Sequence, residues 1–401
     1  MPPPLPIPRI EYLRVKNYRV LRDVEIKNLD PFSVLTGPNG SGKSTVFDVF
    51  AFLSESFNDG LRKAWDKRGR FRELRSRGSE GPIEIEVKYR EAPKSPLITY
   101  HLTIDEDSKG PIVADEWLRW RRGVKGQPFD FLRFKNGVGD AIAGDQPDID
   151  AQRVPSRLDS PSLLAVSALG QFELHPRVAA LRRFISGWYL SYFSAASTRG
   201  VPDAGPQERL SATGENLANV IQYMVESRPD AFERVVSAMR ARVPNLENIE
   251  ATPLDDGRLM LRVKDAPFSQ PVLSRFASDG TLKLLAYLTV LYDENRPQFI
   301  GIEEPENQLH PKLLYGLAEE CAKASVRSQL LVTTHSPEFV EAVKPKQLWV
   351  VHRSTDGFAR ITCAADVPGI SELMDEGANL GQLWREGYLQ FGDPLRGATR
   401  D

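Results

Sequence analysis

Near the start of the chain apolar and charged positions alternate. Leu13 and Val15, then Val24 and Ile26, follow the two-residue period of strands with one solvated face. Phe32-Ser33-Val34-Leu35 is a short apolar run that suits a buried parallel strand. A glycine-rich turn follows it, and the apolar-rich segment from Ser44 to about Leu61 reads as a helix. From Pro82 to Phe134 strand-like stretches recur at Ile83–Val87, Leu97–Leu102, Trp117–Trp120 and Phe129–Phe134. Turns such as Asp107-Ser108-Lys109-Gly110 separate them, so an antiparallel meander is expected. Residues 136–160, rich in Gly, Asp and Pro, read as a loop or sub-lobe boundary. The period then lengthens. Leu217, Val220, Ile221, Met224 and Val225 share one helical face, as do Phe232, Val235, Val236 and Met239, and Pro229 suits a first helical turn. From Ser274 to about Val351 helical and strand-like segments alternate, the pattern of a parallel sheet. An α/β fold is predicted, with neither internal repeats nor sustained heptads.

The chain has 401 residues, enough for one large α/β domain or two ordinary ones. Its 52 Lys and Arg nearly balance 54 Asp and Glu, so any attraction to nucleic acid or an anionic membrane must come from a local patch. No apolar run approaches the roughly 18 residues that span a bilayer, so no membrane partner is expected. The opening Met1–Pro8 has no basic segment followed by an apolar core, unlike a secretion signal. Cys321 and Cys363 lack metal-ligand spacing, and two reduced thiols of a cytoplasmic protein are the expectation.

Three motifs carry chemistry. Gly37-Pro38-Asn39-Gly40-Ser41-Gly42-Lys43-Ser44 matches G-x-x-x-x-G-K-[ST] between an apolar strand and a predicted helix. The glycines let successive N–H groups turn toward phosphate oxygens at the positive end of the helix. Lys43 supplies charge for the β- and γ-phosphates, Ser44 a hydroxyl for Mg²⁺, and Thr45 a group placed to reach the α-phosphate. ATP and Mg²⁺ are the expected ligands. Phe299-Ile300-Gly301-Ile302-Glu303-Glu304 is a buried-strand run ending in two carboxylates, which strand alternation would send to different sides. One can then hold Mg²⁺ while its neighbour polarises the attacking water. Leu330-Leu331-Val332-Thr333-Thr334-His335 is the next apolar strand, and its histidine would sense the γ-phosphate.

Together Gly37–Thr45, Glu303-Glu304-Pro305-Glu306-Asn307-Gln308-Leu309-His310-Pro311 and Thr333-Thr334-His335-Ser336-Pro337 resemble the RecF/SMC/OLD-like branch of ABC-type ATPases. So do Leu13–Arg19, Leu273–Leu282 and the ending Leu380–Trp384. The resemblance covers nearly the whole chain. It implies a single ABC-type P-loop domain with a mixed central sheet and three sub-lobes. These would be a P-loop core with an antiparallel β meander (1–150), a helical insertion (151–270), and a signature, Walker B and switch core (271–401). It makes Glu303 the Walker B acid, Glu304 the catalytic base and His335 the switch histidine. Asn307–His310 becomes the D-loop along a dimer seam. Ser278 and Gly280 become signature residues reaching the γ-phosphate held by a second copy, in an ATP-dependent homodimer. Ser278 or Asp279 can cap the helix Leu282–Tyr292 and turn its positive end that way. The signature reads Ser-Asp-Gly-Thr where transporters read Ser-Gly-Gly-Gln, and Gln171 is the nearest candidate for a Q-loop glutamine.

Relatives of the OLD type carry a Toprim nuclease after the ATPase. The 66 residues beyond His335 are too few for one, so a nuclease or other effector would be a separate chain. Two functions remain open: an ATP-switched enzyme acting on or sensing DNA or RNA, of the repair or phage-defence kind, and an ATP-gated scaffold controlling an effector. Nucleic acid is favoured locally by Arg62–Arg77. There Arg62, Lys63, Lys67, Arg68, Arg70, Arg72, Arg75 and Arg77 face only Asp66 and Glu73, and Arg68, Arg70, Arg72 and Arg75 read as exposed; an ordinary solvated face is the equal alternative. Trp117-Leu118-Arg119-Trp120-Arg121-Arg122 adds an aromatic and basic strand.

Overall fold

The computed structural model describes residues 7–121, 128–144 and 152–389. Two compact units share the chain discontinuously. One comprises Met1–Trp188, Pro345–Leu373 and Gly387–Asp401, the other Tyr189–Lys344 and Met374–Glu386.

The first unit opens with β1 (Arg9–Tyr18), β2 (Leu21–Lys27) and β3 (Phe32–Thr36), then α1 (Lys43–Asn58), α2 (Leu61–Lys67) and α3 (Arg70–Leu74). The expected meander follows as β4 (Ile83–Arg90), β5 (Leu97–Asp107), β6 (Gly110–Arg121), β7 (Pro128–Lys135), β8 (Val138–Ile142) and β9 (Arg153–Arg157). Two helices, α4 (Ala165–Leu169) and α5 (Pro176–Ser186), close this stretch. The sheet runs β2-β1-β4-β5-β6-β7-β8-β9 with every neighbour antiparallel. Alternation decides which face is buried. Along β4, Ile83, Ile85, Val87 and Tyr89 are buried while Glu84, Glu86, Lys88 and Arg90 stay half-exposed. Aromatic side chains of α1 join this core, with Phe57 meeting Tyr100 edge-on at 5.7 Å between centroids.

The stretch expected to be a loop at 136–160 instead contains β8 and β9. The pattern there is silent for a physical reason. Among the described residues the strand β9 pairs only with β8, none of its residues is buried, and Pro155 is tolerated because an edge strand need not donate on both sides. The expected sub-lobe boundary at 150 and Arg122 lie outside the described residues.

In the second unit come β10 (Tyr189–Ser191), α6 (Ala195–Thr198), α7 (Leu217–Ser227), α8 (Pro229–Arg240), β11 (Leu246–Pro253), β12 (Leu259–Asp265) and β13 (Val272–Leu273). They are followed by α9 (Asp279–Tyr292), β14 (Phe299–Glu303), α10 (Pro311–Ala324), β15 (Gln329–Thr333) and α11 (Pro337–Glu341). Here β10, β14 and β15 are parallel neighbours, and β11-β12-β13 form an antiparallel sheet. The region read as a helical insertion therefore also carries strands. On α7, Leu217, Val220, Ile221 and Met224 are buried as expected. Val225, grouped with them, is 46% exposed because it falls off the buried stripe at the last turn.

The chain returns to the first unit with β16 (Leu348–Arg353), parallel to β3, and β17 (Ala359–Cys363), antiparallel to β16. Then come α12 (Ile370–Asp375) and, in the second unit, α13 (Leu380–Arg385). Among the described residues no helix is long and apolar enough to cross a membrane, and Cys321 and Cys363 are free and buried.

Candidate functional site

In the first unit the loop between β3 and α1 is shaped by its glycines. At Gly37, φ is +148° and a Cβ would lie 2.0 Å from Val351 O of β16. At Gly42, which stands at the N-cap of α1, φ is +117° and a Cβ would press on Val20. Neither position admits a side chain. No side chain caps α1 and its first turn holds no acidic residue, so the positive end of a 16-residue helix is left to a ligand. Lys43 is buried and its ammonium donates to Gly37 O (3.0 Å) and Pro38 O (3.1 Å), folded onto the loop it would release for a phosphate. Ser41 Oγ is buried with no hydrogen-bond partner among the described residues, an orphan that an anionic ligand fits. Ser44 is exposed, Thr45 half-buried, and Asn39 and Gly40 lie open. Arg353, from β16, donates to Gly40 O at 2.7 Å and braces the loop; nothing in its sequence context marks that role.

The other candidate residues lie in the second unit. The Ser278 hydroxyl accepts from Thr281 N at 3.1 Å, so of the two candidate caps it is Ser278 that caps α9, and it is exposed. At Gly280 a Cβ would lie 2.7 Å from Gln308 O, so the first turn of α9 packs directly on the turn after β14. The carboxylate of Asp279 is paired with Arg199 at 2.5 Å, and Arg199 also donates to Ala277 O. That cation offsets the negative charge which the Ser-Asp-Gly-Thr spelling introduces.

Strand β14 ends at Glu303, which pairs with Thr333 of β15. Glu304 diverges from it by a different device from the expected alternation. It lies past the strand with φ +43°, a left-handed conformation uncommon for a residue with a Cβ. Its N–H is held by Thr333 O at 3.0 Å. Its carboxylate accepts from Asn307 Nδ2 at 3.1 Å and stands 3.3 Å from His335 Nε2. Glu306 takes Thr334 Oγ1 at 2.9 Å and the His335 N–H, and so fixes the turn that carries the imidazole. Lys283 completes the cluster. It is only 2% exposed, and its ammonium donates to Asn307 O at 2.8 Å and reaches Glu304 O at 3.5 Å. Burial lowers its pKa to about 8, while the carboxylates of Glu306 and Glu304 pull the other way. Neither Glu306 nor Lys283 was singled out from sequence. For Lys283 the signal existed: it is the lone charge in the run Leu282–Leu291.

No group of three or more His, Cys, Asp or Glu among the described residues forms a metal cage. Gln171 is exposed and donates to Ser167 O, with nothing in the first unit giving it a further role.

The basic stretch changes most. Arg68 is 8% exposed, not an exposed cation: its guanidinium bonds Asp48 at 2.8 Å and Glu55 at 2.6 Å. Lys63 pairs with Asp59, Lys67 with Glu55 and Arg70 with Asp66, while Arg62 donates to Lys109 O and Arg75 stacks on Phe71. A second basic surface lies on the solvated face of the meander. A groove of about 650 Å³ there is lined by Lys88, Arg90, Lys94, Arg119 and Arg121 together with Glu86 and Trp117.

Two family models match the chain: an "AAA ATPase domain" over residues 9–150, and "AAA domain, putative AbiEii toxin, Type IV TA system" over residues 166–341. No curated protein matches significantly. Among solved structures, an Smc head bound to the C-terminal winged-helix domain of ScpA is similar at 15% identity and a TM-score of 0.51. That likeness covers 88% of this chain and 97% of the other. An Smc head with an extended coiled coil, bound to the C-terminal domain of ScpA derived from Pyrococcus furiosus, is similar at 13% identity and a TM-score of 0.52. It covers 92% of this chain and 100% of the other. With two AAA-type ATPase models matching it in succession, the chain has the ABC-type P-loop fold that these Smc heads share.

Proposed function

We propose that the chain binds ATP with Mg²⁺ on the loop Gly37–Thr45 and hydrolyses it within a homodimer, as a single ATPase domain. In this reading Glu304 is the base. The observation that carries it is the left-handed Glu304, whose carboxylate is fixed between Asn307 and the His335 imidazole at 3.3 Å. A carboxylate held by two neighbours at a strand end is oriented for one proton and one water. When bound, the magnesium ion would neutralise charge across the phosphate oxygens, with Ser44 and Glu303 as its protein donors. Ser278 and Gly280 of a second copy would complete the site, presenting the capped end of α9 to the γ-phosphate. Glu304→Gln keeps the shape but accepts no proton, so ATP should still bind while turnover falls about 10²- to 10⁴-fold. A wild-type rate in that variant removes Glu304 from the role.

For the nucleic-acid side of the function, the groove over the meander is better placed than Arg62–Arg77. Rows Lys88–Thr99–Arg119 cross three strands, and several of the cations share carboxylates that a phosphate can replace. Replacing Lys94, Arg119 and Arg121 with Gln should weaken single-stranded DNA binding and flatten its salt slope by about one unit for each phosphate no longer neutralised. Replacing Arg70, Arg72 and Arg75 should not. Equal effects from both sets, measured by anisotropy, would return the groove to an ordinary solvated face. The alternative, an ATP-gated scaffold for an effector protein, is supported by the two Smc heads, which are both bound to ScpA domains. Native purification with and without ATP distinguishes the two by what co-elutes.

A further inference from the structure

An ammonium group on a core helix is costly. Burying it without good partners exceeds anything its packing returns, and an apolar side chain of similar length would fill the place more cheaply. Lys283 is nonetheless 2% exposed, the second of ten consecutive buried residues of α9. Its bonds go to main-chain oxygens of the turn after β14: Asn307 O at 2.8 Å and Glu304 O at 3.5 Å. These are the two residues whose side chains hydrogen-bond each other beside His335. The same turn meets α9 a second time, at Gly280, where only a glycine allows Gln308 O so close.

We propose that Lys283 is a positioning residue that ties the signature helix α9 to the backbone of Glu304 and Asn307, so that capture of a nucleotide at Ser278 sets the catalytic carboxylate. The proposal rests on the reading of Glu304 as base. Ser278 and Lys283 lie on one rigid helix, five residues and about 7.5 Å apart along its axis. Any shift of α9 when its capped end meets a γ-phosphate therefore moves the Lys283 ammonium with it. The receiving end is poised to respond. Glu304 sits at φ +43°, a conformation that persists only where its surroundings impose it. Three neighbours do so: Thr333 on its N–H, Lys283 on its carbonyl and Asn307 on its carboxylate. Withdrawing the cation removes the hold on the carbonyl and lets the peptide turn, carrying the carboxylate away from His335.

The test uses the full chain with Mg-ATP and three variants. Lys283→Met keeps the length of the side chain and removes the charge and donors. It should still fold, with a modest drop in melting temperature because Asn307 O loses its donor. Its KM for ATP should stay within about twofold while kcat falls about 10- to 100-fold, the scale of a misplacement near 1 Å. Lys283→Arg, which keeps charge and donors, should recover most of that activity. ATP-dependent dimers of Lys283→Met in a Glu304→Gln background should form as readily as those of Glu304→Gln alone, since the tie acts after capture. A folded Lys283→Met with kcat within twofold of wild type overturns the proposal. So does a defect that Lys283→Arg does not relieve. If Lys283→Met does not fold, Lys283→Gln, neutral and shorter, carries the same expectation and the same refutation. A wild-type rate in Glu304→Gln would instead sink the underlying reading, leaving the tie without a carboxylate to set.

Discussion

Arg68 shows how far a charge can be read before its partners are known. Its sign is plain in the sequence, but its neighbours are Asp48 and Glu55 on the preceding helix, which the folded chain brings to within 2.6–2.8 Å of the guanidinium. Asp48 also accepts from Tyr18 and pairs with Arg19, so one buried arginine fastens β1, α1 and α2 together. Arg68→Ala leaves Asp48 and Glu55 with only their more exposed cationic partners, Arg19 and Lys67, and should cost about 2 kcal/mol. Arg72→Ala, whose side chain is 91% exposed, should stay within about 0.5 kcal/mol. Equal denaturant midpoints for the two would mean that the Arg68 cluster is looser than its distances indicate. The same limit governed the candidate site. Lys43, Ser44, Glu304 and His335 could be named because motif spacing carries chemistry. Glu306 and the left-handed turn at Glu304 could not, because neither a glycine nor an asparagine announced the backbone conformation.

Secondary structure was legible where burial imposed a period and illegible where it did not. The alternation of Ile83, Ile85 and Val87 made β4 plain, whereas β9 buries none of its residues and left no trace in the pattern. One connection between elements has a titration of its own. Glu116 of β6 is fully buried and accepts from Tyr100 Oη, Ala165 N and Val166 N, so it holds the start of α4 against the sheet. Burial pushes its carboxyl up to about 7, and the three donors only partly offset that. The folded value lies above the unfolded one, so between pH 4.5 and 7 the native state binds a proton that the unfolded chain has released. Stability from this group is therefore full below about pH 4.5 and is lost as pH rises through about 7, a total of about 3 kcal/mol. Urea midpoints across that window should fall more steeply in the wild type than in Glu116→Gln. Parallel curves would show that the carboxyl is already ionised near its ordinary pKa.

For the molecule as a whole, the fold class followed from the order of its motifs, but the division into two discontinuous units did not, since no local signal tells a strand near residue 350 which partner it will take. The proposed dimer is tested by mixing. Lys43→Ala and Ser278→Arg should each be inactive for different reasons. In a mixed dimer both lesions fall in one site and leave the other whole, so partial hydrolysis should return; none, despite mixed dimers confirmed by sedimentation, argues against a shared site. The parallel pairing of Val34 with Leu348 also bears on how the protein is made. Ribosomes add about 5–20 residues per second, so a nascent chain displays its complete phosphate-loop sequence for tens of seconds before β16 emerges. During that time Gly37 lacks the Val351 wall against which it folds, and Gly40 lacks Arg353. Glu304 and His335 leave the ribosome before either arrives. The loop therefore gains the walls that shape its glycines only after Glu304 and His335 have been made.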